Sequence, residues 1–302
     1  MHPQDEKGGL RPIVVGSVLM RLVGSLAIQK ESSSINKYFL EPRPLQFGVG
    51  VQGGCELMAS AIDAFLRANP SAIVLSCDAA NAFNSVCRTK LWGNLRTNFP
   101  SLYALVRMMY GSEASIIFSE VGVSTPTIVK NSVGTRQGCS LGSMVFALMI
   151  HPYLLQLADE FPDVLVLAYA DDVSLAGAPH RVVACYKRWR ELYETELQGS
   201  LRDDKGVVYA QLPYPDVALL TSEASLVALG LSCGGEDGVK VVHDGLRVLG
   251  APVGSDAFKV AFAQARVDEV VEALDTASFM PELQLQHCVS AGSLVHRINH
   301  LL

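Results

Sequence analysis

A chain of 302 residues that is 49% hydrophobic and 18% charged has enough apolar content to bury a sizeable core, which excludes a disordered tail and allows one large domain or two smaller ones. Its net charge of −6, from 24 Lys and Arg against 30 Asp and Glu, excludes a protein that holds nucleic acid by charge alone, because neutralising phosphates takes cations. With aromatics at 7%, the apolar residues are largely Ala, Val and Leu, a composition suited to helices packed on a sheet.

The segment Met1-His2-Pro3-Gln4-Asp5-Glu6-Lys7 lacks the charged-then-apolar pattern of a secretory signal, and the apolar stretch 13–20 is broken by Arg21. These features predict a soluble intracellular protein without a membrane span, nuclear in a eukaryotic cell. Gly48-Val49-Gly50-Val51-Gln52-Gly53-Gly54 reads as a loop, followed by a helix over 55–69 that Pro70 ends. An apolar run at 72–77 predicts a buried strand with Asp78 at its carboxyl end. A helix is predicted over 101–110, then short strands at 116–118 and 127–129 around Pro126. The apolar stretch 141–158 predicts a long helix that Pro152 kinks or breaks. Strands at 164–170 and 173–176 leave only Asp171 and Asp172 between them, a tight hairpin tipped by two carboxylates. Runs at 239–243 and 246–249 flank Asp244-Gly245, a two-residue hairpin signal because both residues tolerate positive φ. Helical patterns over 256–276 and 281–302 follow. Seven cysteines, none in Cys-x-x-Cys spacing, predict reduced thiols in a packed interior. The run Lys187-Arg188-Trp189-Arg190 is either a solvated helix face or a short contact to a nucleic-acid backbone.

Two carboxylates at one hairpin tip raise each other's pKa unless a cation neutralises them, so a divalent metal is the natural partner. Asp78, 93 residues before Asp171, completes a set of three hard oxygen ligands if the two strands are neighbours. Such a set suits magnesium, which keeps waters and draws the rest of its shell from substrate phosphates. Two ions about 3.5–4 Å apart would activate a 3′-hydroxyl and stabilise a leaving pyrophosphate, which is nucleotidyl transfer. Asp203-Asp204 is a second adjacent pair, read as an exposed one.

Three ordered blocks give these carboxylates a context. Ser76-Cys77-Asp78-Ala79-Ala80-Asn81-Ala82-Phe83-Asn84-Ser85-Val86 resembles the first palm motif of the reverse-transcriptase family, with a metal-binding aspartate and an aromatic five residues on. Gly134-Thr135-Arg136-Gln137-Gly138-Cys139-Ser140-Leu141 through Phe146 resembles the second, and Tyr169-Ala170-Asp171-Asp172 the third. Gln52-Gly53-Gly54 and Ile150-His151-Pro152 are most similar to retroelements without long terminal repeats. The resemblance extends to Arg11-Pro12-Ile13, like the fingers strand that holds an incoming triphosphate, to Lys205, and to Leu249-Gly250, like the hairpin that grips the primer end.

The resemblance implies a role for each residue. Asp78, Asp171 and Asp172 would be the catalytic metal ligands, for two Mg2+ ions with Mn2+ an alternative. Phe83 beneath the sugar would exclude a 2′-hydroxyl by bulk, although a core phenylalanine serves equally well as a bland explanation. Arg11 offers a planar fork of donors for phosphate oxygens, and the Gln137 amide beside Gly138 could hydrogen-bond a nucleotide. Lys205 could protonate the leaving pyrophosphate, pair with its charge, or simply be solvated beside Asp203 and Asp204. The family usually repeats an acid after the aromatic, where this chain has Asn84, and no endonuclease or ribonuclease H pattern is visible.

The expectation is therefore an α+β right-hand polymerase: partial fingers and the connection to the palm over 1–70, an antiparallel palm over 71–254, and the start of a truncated thumb over 255–302. The implied function is RNA-templated DNA synthesis by a fragment of a retroelement polyprotein. An RNA template, a DNA or RNA primer, deoxynucleotides and the flanking polyprotein domains would be its partners, with no membrane. Two alternatives stand beside it. An RNA-dependent RNA polymerase shares the palm and the Asp-Asp hairpin but must accept the 2′-hydroxyl, so Phe83 discriminates. A decayed or domesticated, non-catalytic nucleic-acid-binding fragment fits the acidic balance, whereas the intact carboxylates oppose it.

Overall fold

The computed structural model describes residues 16–118, 125, 127–211 and 222–290. The chain opens with helices α1 (Val18–Lys30), α2 (Ser32–Leu40) and α3 (Gly54–Ala68), then strand β1 (Ile73–Ala79), the single turn α4 (Ala82–Ser85), and helices α5 (Leu91–Asn98) and α6 (Pro100–Tyr110). Strands β2 (Ala114–Phe118) and β3 (Thr127–Asn131) precede the long helix α7 (Gly142–Glu160), the strands β4 (Leu165–Tyr169) and β5 (Asp172–Gly177), and helix α8 (Pro179–Thr195). Then come β6 (Leu201–Ala210), α9 (Glu223–Ala228), β7 (Lys240–Val242), β8 (Gly245–Val248), β9 (Ala251–Gly254), α10 (Asp256–Ser278) and α11 (Leu283–Val289). Helices and strands are mixed without a regular alternation, the α+β class expected.

The main sheet has five strands in the order β4-β5-β1-β6-β7, with β2-β3 and β8-β9 as separate two-stranded ribbons. A two-residue connection forces β4 and β5 to run antiparallel. At the edge of this sheet β7 lies parallel to β6, with Val207 opposite Lys240 and Tyr209 opposite Val242.

Two compact units interleave along the sequence: 1–52, 77–175 and 184–203 form one, and 53–76, 176–183 and 204–302 the other. In the first, the amino-terminal half of α7 is apolar all round, and its side chains from Met144 to Ile150 are buried, which places that half in the core rather than on a surface. In the second, α3 turns Met58, Ile62 and Leu66 inward and packs against the β8-β9 ribbon.

Several local expectations are corrected. Helix α7 runs unbroken through Pro152. A proline lacks the N–H that would bond the carbonyl four residues back. Here that carbonyl, of Leu148, accepts instead from the Asn94 side-chain amide at 2.7 Å, so no acceptor is orphaned. The hairpin expected at Asp244-Gly245 does not form, because neither residue takes a positive φ and β7 and β8 join different sheets. The hairpin lies one strand later, where Leu249 (φ 51°) and Gly250 (φ 93°) connect β8 to β9, the backbone such a turn requires. Asp203 is not an exposed member of a solvated pair: it sits in β6, accepts from Tyr186 and Arg190, and its side chain keeps 18% of its exposure. Arg190 and Arg188 are likewise held in ion pairs, and Trp189 between them is buried, so the basic run is a packed helix and not a free cationic face. All seven cysteines are reduced, as expected, but only Cys77 and Cys185 are buried. Pro126 and 291–302 lie outside the described residues.

Candidate active site

The Asp171-Asp172 turn differs by one residue from the one expected. Strand β4 stops at Tyr169, the turn is Ala170-Asp171, and Asp172 is already the first residue of β5. Asp171 is half-buried and Asp172 exposed. Strand β5 is the hydrogen-bonded neighbour of β1, whose penultimate residue is the half-buried Asp78. Tyr193, on α8, reports on this region: its hydroxyl is buried with no hydrogen-bond partner among the described residues. Burial raises its pKa, and the charges of Asp171 and Asp78 push it further in the same direction. Two carboxylates, Asp78 on β1 and Asp171 in the β4-β5 turn, therefore bear on one phenol.

Among the described residues, no three His, Cys, Asp or Glu side chains are drawn together as a metal's ligand set. The donor chemistry nevertheless suits a hard divalent cation: Asp78 and Asp172 stand on adjacent strands with Asp171 in the turn before β5, and the buried, unpartnered Tyr193 hydroxyl lies in the field of Asp78 and Asp171.

The turn is held from one side by the segment that precedes α3. Backbone bonds from Phe47 to Ala168 (2.8 Å) and from Ala168 to Leu45 (2.7 Å) lay residues 45–47 alongside β4 as one more, parallel pairing. Gln46 is fully buried. Its Oε1 accepts from the Ala170 amide at 2.8 Å and from the Gly48 amide at 3.0 Å, and its Nε2 donates to the Ala170 carbonyl at 3.3 Å. Ala170 has φ 54°, a left-handed conformation that costs a residue with a Cβ about 1 kcal/mol. Gly48 must be glycine here, since a Cβ would run into the Ala170 nitrogen.

The first and second sequence blocks are locked to each other. Phe83, on α4, stacks on Phe146 of α7 with ring centroids 4.6 Å apart and planes 17° off parallel. The Phe83 carbonyl accepts from the Thr135 amide, and the Gly134 amide bonds Val86 at 2.7 Å. A Cβ on Gly134 would strike the backbone of Phe83 and Asn84. Arg88 clamps this junction: its guanidinium donates to the carbonyls of Gly134 (2.6 Å), Val133 (3.0 Å) and Tyr110 (3.1 Å) and to the Asn131 side chain (2.6 Å). Gln137 is half-buried in the turn before α7, beside Gly138 at φ 91°. Next to it, Arg136, Cys139 and Ser140 line a cavity of about 320 Å3 with Arg21, Met108 and Met109.

Lys205, exposed on β6, and Leu249 and Gly250, in the β8-β9 turn, belong to the other compact unit. Arg11 lies outside the described residues. Sequence reasoning missed Gln46, Arg88 and Tyr193. Only Gln46 leaves a local trace, as a single amide between Leu45 and Phe47 just before a glycine. The partners of Arg88 lie 22 to 46 residues away and leave none.

A family model described as reverse transcriptase (RNA-dependent DNA polymerase) matches residues 3–191. Over 179 residues, 58% of the chain, the sequence is 30% identical to the retrotransposable element SLACS 132 kDa protein of Trypanosoma brucei gambiense, and it spans only 14% of that relative's length. Among solved structures, telomerase from Candida albicans in complex with the TWJ fragment of telomeric RNA aligns with a TM-score of 0.42 at 14% identity, over 63% of this chain and 35% of that one. Apo telomerase from Candida tropicalis, truncated from its C-terminal domain, aligns with a TM-score of 0.48 at 13% identity, over 67% and 48%.

Proposed function

Because this chain belongs to the reverse transcriptase (RNA-dependent DNA polymerase) family, whose model spans all three aspartates, we propose that it catalyses RNA-templated DNA synthesis as part of a retroelement polyprotein of the type without long terminal repeats. The observation that carries this reading is the placement of the Asp171-Asp172 turn on the strand that neighbours the one bearing Asp78. In the reaction a primer 3′-hydroxyl attacks the α-phosphorus of a deoxynucleoside triphosphate, a phosphodiester bond forms, and pyrophosphate leaves.

Asp78, Asp171 and Asp172 would hold divalent magnesium or manganese, which when bound as a pair supplies charge neutralisation at the attacking and leaving oxygens. Phe83 supports the sugar, its ring fixed by the stack on Phe146 so that it cannot swing away from a 2′-hydroxyl. Gln137 hydrogen-bonds the nucleotide from a turn whose glycine lets backbone approach closely. Arg11 and Lys205 neutralise phosphate charge, and Leu249-Gly250 supports the primer end. Residues 1–70 would then serve as fingers and their connection, 71–254 as palm, and 255–302 as the start of the thumb.

Primer extension on an RNA template, with deoxynucleotides and ribonucleotides offered separately, tests the proposal against Asp171→Asn and Asp172→Asn. Extension with deoxynucleotides that falls at least about a thousandfold in both variants is the expected result. Undiminished extension by Asp171→Asn would falsify the carboxylate mechanism, and extension with ribonucleotides alone would reassign the template-directed product to RNA.

A further inference from the structure

We propose that Gln46 is a positioning residue for the aspartate turn: its side-chain amide brackets Ala170 on both sides and so fixes where Asp171 and Asp172 point. The assignment of a role to those carboxylates rests on the reading above; the bracket itself rests on geometry. A peptide group is satisfied only by a partner that accepts at one point and donates at another, and among side chains a carboxamide does both at once. The two amides of Ala170 and Gly48 converge on one atom of Gln46, which must therefore be its oxygen, and the nitrogen is left facing the Ala170 carbonyl.

The side chain thus continues the pairing of segment 45–47 with β4 beyond Ala168, where the backbone pairing ends, to the second residue after it. That residue is Ala170, whose left-handed backbone would otherwise relax towards the right-handed region and rotate the following Asp171. Full burial keeps water from substituting for the amide, so the bracket cannot be replaced by solvent when the side chain is removed. Gly48 gives the second sign of a dedicated fit, since it lets this segment lie directly against the Ala170 nitrogen.

Residue-resolved hydrogen exchange on the full chain tests the bracket, comparing wild type with Gln46→Met, which keeps the volume but not the hydrogen bonds. Gln46→Asn, one methylene shorter, is the second variant, in case the first folds poorly. The expected result is at least about tenfold faster exchange of the Ala170 amide in both, with the Ala168 amide, bonded to the Leu45 carbonyl, keeping its protection. Unchanged Ala170 protection, or equal loss at Ala168 and Ala170, overturns the bracket. Primer extension then tests its consequence: kcat falls at least tenfold while KM for the deoxynucleotide stays within twofold, because a misdirected carboxylate harms the reacting step and not nucleotide binding. A wild-type kcat in Gln46→Met, with Asp171→Asn inactive, overturns the positioning role. Equal extension by wild type and Asp171→Asn removes instead the function assigned to the carboxylates, and leaves the exchange result to decide the bracket alone.

Discussion

His151 lies on α7 with its ring 4.9 Å from Tyr38 and 5.1 Å from Phe39, wholly shielded from water. Burial lowers its pKa to about 4, with the Tyr38 backbone opposing weakly. In the unfolded chain a histidine titrates near 6.5. Between those two values the unfolded state binds the proton and the folded state does not, so stability is complete above about pH 6.5 and falls as pH drops towards about 4. Chemical denaturation should therefore show a loss of about 2 kcal/mol between pH 7.5 and pH 5 attributable to this one imidazole. In His151→Leu that increment should disappear. An acid sensitivity equal to the wild type's would mean that other groups carry it. The Ile150-His151-Pro152 signature was legible in the sequence as a family mark, but the physical demand on the histidine, to stay neutral inside an aromatic pocket, came from Tyr38 and Phe39 more than a hundred residues earlier.

Elements rather than single residues bind the first two sequence blocks, and Arg88 is where they meet. Four hydrogen bonds converge on one guanidinium that is 7% exposed. Its pKa is lowered by burial, but an arginine stays charged regardless, so removing it takes a donor from the carbonyls of Gly134 and Tyr110 and from the Asn131 amide oxygen, while the Val133 carbonyl keeps the Asn131 amide at 3.2 Å. Arg88→Met should cost about 3 kcal/mol, read as a lower denaturant midpoint at unchanged slope, and Arg88→Lys should recover only part of that, because an ammonium cannot span a planar fork. A loss below about 0.5 kcal/mol would show that the junction holds without its clamp. The elements that this clamp joins were mostly readable beforehand. Helix α3 and strands β4 and β5 followed from periodicity and punctuation, signals contained within each segment. What failed depended on partners elsewhere. Pro152 was expected to break α7 because the Asn94 amide that relieves it is 58 residues away, and Asp244-Gly245 was expected to turn because its neighbour β7 was not known to pair with β6. The carboxylates of the candidate site were legible as a motif, whereas the Gln46 bracket that holds their turn required knowing that residues 45–47 lie beside β4.

At the scale of the whole molecule the proposed function asks an acidic chain to engage a polyanion. Net charge is −6, and cations that a sequence count would credit to nucleic acid are already occupied: Arg188 by Glu160 and Glu191, Arg190 by Asp203, Arg43 by Asp159, Lys90 by Glu196. Exposed pairs of this kind contribute little to stability. Freeing one of these cations for a phosphate nevertheless exposes a carboxylate that repels the same strand. Affinity for nucleic acid should therefore rest on few phosphate contacts and depend weakly on salt. Fluorescence anisotropy of a labelled primer–template duplex, titrated with the chain between 50 and 300 mM KCl, measures this as the slope of log K against log[salt], at about 0.9 per phosphate neutralised. A slope shallower than about −4 is expected, which corresponds to roughly four phosphates or fewer. A steeper slope would mean that the internal ion pairs open on binding. Weak salt dependence would instead assign the missing electrostatic grip to basic segments of the proposed polyprotein, and restoring such segments should steepen the slope without changing the proposed requirement for Asp78, Asp171 and Asp172.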